Sequence, residues 1–279
     1  MGATQPGKIR IGVGGWTYEP WRGAFYPDNL PQKRELEYAS RQLTSIEING
    51  TYYGSQKPES FAKWRDETPD DFVFSLKAPR FATNRKRLAT AQESVERFFA
   101  SGVMQLGEKL GPINWQFMET KKFDAEDFAA FLHLLPKTVE GRALRHVVEV
   151  RHDSFRCPEF VALARERGVA VVVAGDSEFP QIADLTAPFV YARIMGTTER
   201  PKLGYPPKAL KAWADRARAW AAGKTPVGLD SVGTSTAAKP RDVYLYVISG
   251  HKVNNPAAAV ALIAELGKGA LTPPPAPPP

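Results

Sequence analysis

Residues 145–176 read RHVVEVRHDSFRCPEFVALARERGVAVVVAGD. Arg145–His152 and Val169–Asp176 are dense in valine, as buried strands are, and the stretch between them opens with Pro158 and closes on Gly168, which start and stop a helix. Strand, helix and strand in about thirty residues form a βαβ unit, the building block of parallel α/β folds.

The same alternation extends in both directions. Six further strand-like runs occupy Ile9–Gly15, Ser45–Tyr53, Phe72–Pro79, Ile113–Phe117, Phe189–Gly196 and Asp242–Gly250. Between them, Phe128, Phe131, Leu132 and Leu135, and then Leu210, Trp213, Ala217 and Trp220, recur at helical spacing and lay an apolar stripe along one helix face. Asp124 and Pro136 bracket the first of these helices, and Pro207 and Gly223 the second. The sixth unit is short, because only a turn fits between Asp176 and Phe189, and Thr225–Arg241 reads as a loop. Eight β units in 279 residues predict a single-domain TIM (β/α)8-type barrel, with an open doubly wound sheet as the alternative. The barrel is expected over residues 9–270, after an eight-residue extension and before a proline-rich tail at 271–279 that should be extended and exposed.

Composition limits the function classes. With 43% hydrophobic and 11% aromatic residues the chain can bury a core and is not a disordered polymer. Cys157 is the lone cysteine, so no internal disulfide can form, and there is neither a basic-then-apolar start nor an apolar run of membrane-spanning length. A cytoplasmic protein without membrane partners is expected. The formal charge of +7 favours phosphates, other anions or nucleic acid, although the basic residues are dispersed along the chain.

In a TIM barrel, chemistry gathers at the carboxyl ends of the strands. Those ends carry Glu47 and Asn49, Lys77, Gln116, Glu149 and Arg151, Asp176, and Arg193. Strand alternation puts Glu47 with Asn49, and Glu149 with Arg151, on one face among apolar neighbours. Unpartnered charge inside a barrel costs several kcal/mol, so these groups must compensate one another, bind a ligand or line a wet pocket. A polar pocket is expected, with Glu47, Glu149 and Asp176 as proton-transfer groups and Asn49, Lys77, Gln116, Arg151 and Arg193 as ligand contacts; an internal salt-bridge network is the alternative. The three carboxylates also offer the oxygen ligands that Mg or Mn prefers. After the first strand, Gly14–Pro27 is dense in aromatic residues, and Trp16, Tyr18 and Trp21 are expected to cover a sugar or base.

Other motifs carry less. Gly12-Val13-Gly14-Gly15 lacks the third glycine and the helix of a dinucleotide turn, and the four histidines have no zinc-type spacing. His152-Asp153-Ser154 holds the residue types of a hydrolytic triad, but neighbouring positions cannot converge as base, orienter and nucleophile.

The sequence resembles the YecE-like family, domain of unknown function 72, over about residues 9–266. The resemblance rests on Gly15-Trp16-x-Tyr18-x-x-Trp21-x-Gly23-x-Phe25-Tyr26-Pro27, Glu47-Ile48-Asn49-x-Thr51-x-Tyr53, Lys77-Ala78-Pro79, Trp115-Gln116, Glu149-x-Arg151-His152-x-Ser154-Phe155, Asp176 and Tyr191-x-Arg193. It implies a TIM barrel and leaves the activity unassigned. The chain departs from the family pattern at Asn84 and Met195, where histidines are usual, and at Val247-Ile248-Ser249-Gly250, where an aromatic-Asn-Asn end is usual. Binding of a small polar, anionic or sugar-like ligand at the carboxyl-end mouth of the barrel is expected, by an enzyme or former enzyme for which hydrolysis and isomerisation fit the residues equally. Single-stranded nucleic-acid binding or cleavage and a non-catalytic scaffold are the competing expectations.

Overall fold

A computed structural model describes residues 5–234 and 236–267. Eight parallel strands close on themselves and are numbered here in chain order: β1 Ile9–Gly14, β2 Ser45–Ile48, β3 Val73–Lys77, β4 Leu110–Gln116, β5 His146–Glu149, β6 Ala170–Gly175, β7 Phe189–Ile194 and β8 Asp242–Val247. Each pairs with its sequence neighbours, and β1 pairs with β8 to complete a TIM barrel. The helices between them are α1 Glu35–Gln42, α2 Pro58–Asp66, α3 Gln92–Ala100, α4 Ala125–Leu134, α5 Pro158–Arg167 and α6 Pro207–Ala221, and α7 Asn255–Glu265 follows β8. The expected proline-rich tail lies outside the described residues.

Local chemistry sets the helix limits. The Asp124 side chain accepts from Asp127 N–H at 3.0 Å and caps α4, while α5 and α6 begin on the prolines expected to start them. The apolar stripe of α4 buries Phe128 and Phe131 against Phe117, Phe155 and Phe160, with ring centroids 5.1–5.7 Å apart in the edge-on pairs. Burying each such ring stabilises by roughly 1.5–3 kcal/mol, so this aromatic layer is a main attachment of α4 and α5 to the barrel.

Among the described residues no helix joins β6 to β7, as the short sixth unit implied. Ile182 and Ala183 are buried in this segment, Ala183 N–H donates to the Asp230 carbonyl, and the Asp184 carboxylate accepts from Val232 N–H and Gly233 N–H at 2.8 Å each. The long loop before β8 therefore covers the gap that a helix would fill. No helix among the described residues is long and apolar enough to cross a membrane.

Strand alternation stacks side chains inside the barrel. Tyr191 and Tyr246 lie with ring centroids 5.1 Å apart; the Tyr246 hydroxyl is 2.7 Å from Ser45 Oγ and the Tyr191 hydroxyl 2.8 Å from Ser75 Oγ. On β1 the interior is backbone. A Cβ at Gly14 would come within 2.8 Å of Asn49 Nδ2, so the glycine makes room for a rim side chain and needs no nucleotide to explain it.

Candidate functional site

Above the tyrosine layer, towards the carboxyl ends of the strands, Glu47, Lys77, Asn114, Glu149 and Arg193 are all buried. Two-residue alternation explains this, because each sits two positions beyond an interior residue such as Ser45, Ser75, Val147 or Tyr191. Arg193 joins the carboxylates: its Nη2 donates to Glu47 Oε1 at 3.0 Å, and its Nη1 lies 2.6 and 2.5 Å from the two oxygens of Glu149. Tyr191 Oη–H donates to Glu47 Oε2 at 2.5 Å, and Asn114 Nδ2 donates to Glu149 Oε2 at 2.9 Å. At the rim, Arg151 adds two bonds to Glu149 Oε1, from Nε at 3.1 Å and Nη2 at 2.8 Å, and packs over Phe179.

Burial alone would push the Glu149 carboxyl up, but Arg193, Arg151, Lys77 and the Asn114 amide outweigh it and hold the group at about 2. Lys77 goes the other way. Burial first, and Arg193 next, bring its ammonium down to about 8 against the pull of Glu47 and Glu149. Lys77 is 7% exposed and, among the described residues, forms no ion pair or hydrogen bond through Nζ, which sits 4.4 Å from the centroid of the Tyr52 ring. Three cations thus meet two buried carboxylates, and the further carboxylate near Arg151, Glu119, is exposed and 3.9 Å away. Three buried polar atoms nearby, Asn114 Oδ1, Gln116 Oε1 and Arg193 Nε, have no hydrogen-bond partner among the described residues. Buried polar atoms left unpaired in this way mark a place for water or a ligand.

Several expectations need correction. Asp176 does not join the cluster: its Oδ2 accepts from Trp213 Nε1 at 2.8 Å, which turns the carboxylate towards α6. The cause lies one residue earlier, since a Cβ at Gly175 would come within 2.3 Å of Trp213, and the glycine lets that indole reach the strand end. The expected Mg or Mn set of Glu47, Glu149 and Asp176 does not assemble, because a guanidinium stands between the first two and the third faces elsewhere; no group of three metal-ligating side chains occurs among the described residues. Trp21 is fully buried, with Nε1 donating to the Lys252 carbonyl at 2.9 Å, so it cannot cover a ligand. Tyr18 packs edge-on against Trp21 and lies beneath the Lys252 ammonium. Trp16 stands edge-on to Trp64 and, with Asn49, lines a separate cavity of about 300 Å³ between the ends of β1 and β2. His152 Nδ1 and Ser154 Oγ do touch, at 2.9 Å, but as a turn cap in which Nδ1 also accepts from Ser154 N–H.

Three contributors were not among the expected site residues, although Tyr191 belongs to the Tyr191-x-Arg193 motif. Asn114 and Tyr191 lie two residues before Gln116 and Arg193, so the alternation that found the latter also reaches the former. Tyr52 was hidden because the expected strand Ser45–Tyr53 ends at Ile48; Gly50–Tyr53 is a helical turn pinned by Thr51 Oγ1–H, which donates to the Lys77 carbonyl at 2.6 Å. That turn brings Tyr52 over Lys77.

A closed parallel barrel with a ring of charge at the carboxyl ends of its strands defines a TIM-barrel protein of the kind that carries its sites at that rim. Residues 10–279 match the family described as "Protein of unknown function DUF72", and the chain belongs to that family. It is similar to the UPF0759 protein YecE of Escherichia coli strain K12, 29% identical over 147 residues that make up 53% of this chain and 50% of that protein. It is also similar to the UPF0759 protein YunF of Bacillus subtilis strain 168, 27% identical over 114 residues, or 39% of each chain. The chain thus matches half or less of the length of these relatives. Solved DUF72 structures from Thermotoga maritima (TM-score 0.65, 21% identity, 94% of this chain and 98% of that one) and Enterococcus faecalis (0.66, 16%, 95% and 98%) share the fold.

Proposed function

We propose that the barrel mouth binds a small anion, a carboxylate or phosphate, through Lys77 and Arg151, with Gln116 as a neutral contact. The observation that carries this reading is the unpartnered Lys77 ammonium beside two carboxylates that Arg193 already holds. An anion supplies the missing countercharge and relieves the burial of Lys77.

The proton-transfer role expected of Glu149 passes to Lys77. A carboxylate held at about 2 is a weak base, whereas a group near 8 exchanges protons at neutral pH. Met195, where the family resemblance leads one to expect histidine, is buried among the apolar interior residues and supplies no titratable group. Hydrolysis and isomerisation both remain compatible with a lysine in this role.

Thermal unfolding with inorganic phosphate, sulfate, pyruvate and an uncharged sugar as additives tests the reading. A ligand that binds only the folded state raises the melting temperature with its concentration. At least one anion should do so in the wild type and lose its effect in Lys77→Met; no response to any anion overturns the proposal.

One observation favours a second reading, a single-stranded nucleic acid. Tyr53 and Phe81, 65% and 59% exposed, flank the Arg80 guanidinium, which lies 6.0 and 5.5 Å from their ring centroids. Exposed rings beside arginine suit stacked bases. Retention of a short single strand at about 50 mM salt, lost by about 200 mM and in Tyr53→Ala/Phe81→Ala, would support this reading, and no retention at the lower salt would dismiss it.

A further inference from the structure

We propose that Lys77 is a covalent site: its amine condenses with the aldehyde or ketone carbonyl of a small anion held at the barrel mouth and forms an imine. This rests on the anion-binding reading and narrows the ligand class to carbonyl compounds that also carry a carboxylate or phosphate.

The contrast with other lysines carries the inference. Lys109 is equally buried, but its Nζ donates to the Arg65 and Thr68 carbonyls, at 2.5 and 2.7 Å, and to Thr68 Oγ1 at 3.2 Å, which engages all three protons. Lys121 is paired with Asp127 at 2.9 Å. Lys77 has no such partner. Among the described residues its Nζ has no hydrogen bond or ion pair and lies over the face of Tyr52, and the carboxylates that would hold it as ammonium are bound to arginine and tyrosine. A lysine nucleophile needs a free electron pair at working pH, and a desolvated position beside other cations provides one. Lys77 meets this condition, since burial and Arg193 bring it to about 8.

The step balances without an outside oxidant or reductant. The neutral amine attacks the carbonyl carbon; a C–N bond forms, the carbonyl π pair moves to oxygen, and nitrogen passes a proton to that oxygen. The carbinolamine then takes up one proton and loses water as the C–O bond breaks and C=N forms. The product iminium carries the same single positive charge as the ammonium it replaces, so the balance with Glu47 and Glu149 is preserved. Arg151, at the rim and partly exposed, is the cation left to hold the carboxylate or phosphate of the bound compound.

Glyoxylate serves as the anionic aldehyde and acetaldehyde as its uncharged counterpart, each trapped with cyanoborohydride and located by peptide mass spectrometry on the full chain. Glyoxylate should modify Lys77 faster than the exposed Lys8 and Lys208 by roughly tenfold or more. Inorganic phosphate should slow this labelling, and Arg151→Met should slow it for glyoxylate but not for acetaldehyde. Labelling of Lys77 no faster than of Lys8 and Lys208 overturns the covalent step. If phosphate still raises the melting temperature in that case, anion binding stands and only the imine falls; if it does not, both fall. Lys77→Arg keeps the cation without a condensing amine, so the phosphate response should survive in it.

Discussion

Both carboxylate oxygens of Glu149 lie within 2.6 Å of one nitrogen, Arg193 Nη1, while the other end of the same guanidinium holds Glu47 at 3.0 Å. One arginine on β7 therefore ties β2 to β5 across the barrel. The charges expected to perform chemistry are largely occupied with holding one another, and Lys77 is left outside the arrangement.

Removing the tie should leave Glu47 without its close cation and Glu149 with Arg151 alone. Arg193→Met is expected to destabilise the fold by about 3–5 kcal/mol, the usual effect of breaking a buried ion pair from one side. The triple variant Glu47→Gln/Glu149→Gln/Arg193→Met should recover part of that loss, because the two carboxylates leave together with the guanidinium that held them. Urea unfolding of the two variants measures the difference, and equal stabilities would contradict the pairing.

Glu149 gives a pH signature. Its folded value of about 2 lies below the ordinary 4.5, so the stabilisation from its ionised form is fully present above about 4.5 and is lost as pH falls towards 2. At neutral pH, Glu149→Gln should be less stable than wild type by about 3 kcal/mol, and the gap should close on acidification through that window. Chemical denaturation at several pH values reads this directly.

Lys77 has the opposite effect. Its folded value of about 8 lies below the ordinary 10.5, so the unfolded chain binds the extra proton and folding is penalised at pH values below about 8. In anion-free buffer Lys77→Met should be more stable than wild type by about 1–3 kcal/mol at pH 7. That advantage should fade between pH 8 and 10.5 as the wild-type chain gains stability, and a constant difference across the range would contradict the assignment.

Asp176 is expected to be structural. Asp176→Ala removes the acceptor for Trp213 Nε1 and should destabilise by about 1–2 kcal/mol. It should leave the phosphate response of the barrel mouth unchanged; loss of that response would return Asp176 to the site.

Much of this architecture was legible in the sequence because two periodicities carry it. Runs such as Val147–Val150 and Val171–Val173 mark buried strands, the stripe of Phe128 and Phe131 marks a helix, and the short spacing from Asp176 to Phe189 announced the missing helix. The alternation also brought Glu47, Lys77, Glu149 and Arg193 to one end of one hollow. It could not reveal who bonds to whom. Asp176 leaves the cluster because Gly175 admits Trp213, whose indole bonds the Asp176 carboxylate from 37 positions away. Trp21 is lost to the core because its indole finds the Lys252 carbonyl, 231 positions away. Tyr52 faces Lys77 only because the chain turns helical after Asn49, a boundary that the strand-like Ser45–Tyr53 run conceals.

The most direct measurement is the titration of the Lys77 side-chain nitrogen by NMR in protein carrying ¹⁵N-lysine, with the resonance assigned by its loss in Lys77→Arg. An unpartnered ammonium at the barrel mouth should titrate at about 8 in anion-free buffer and move upward when phosphate or another bound anion is added. Titration at the ordinary lysine value of 10.5, unmoved by any anion, would contradict it.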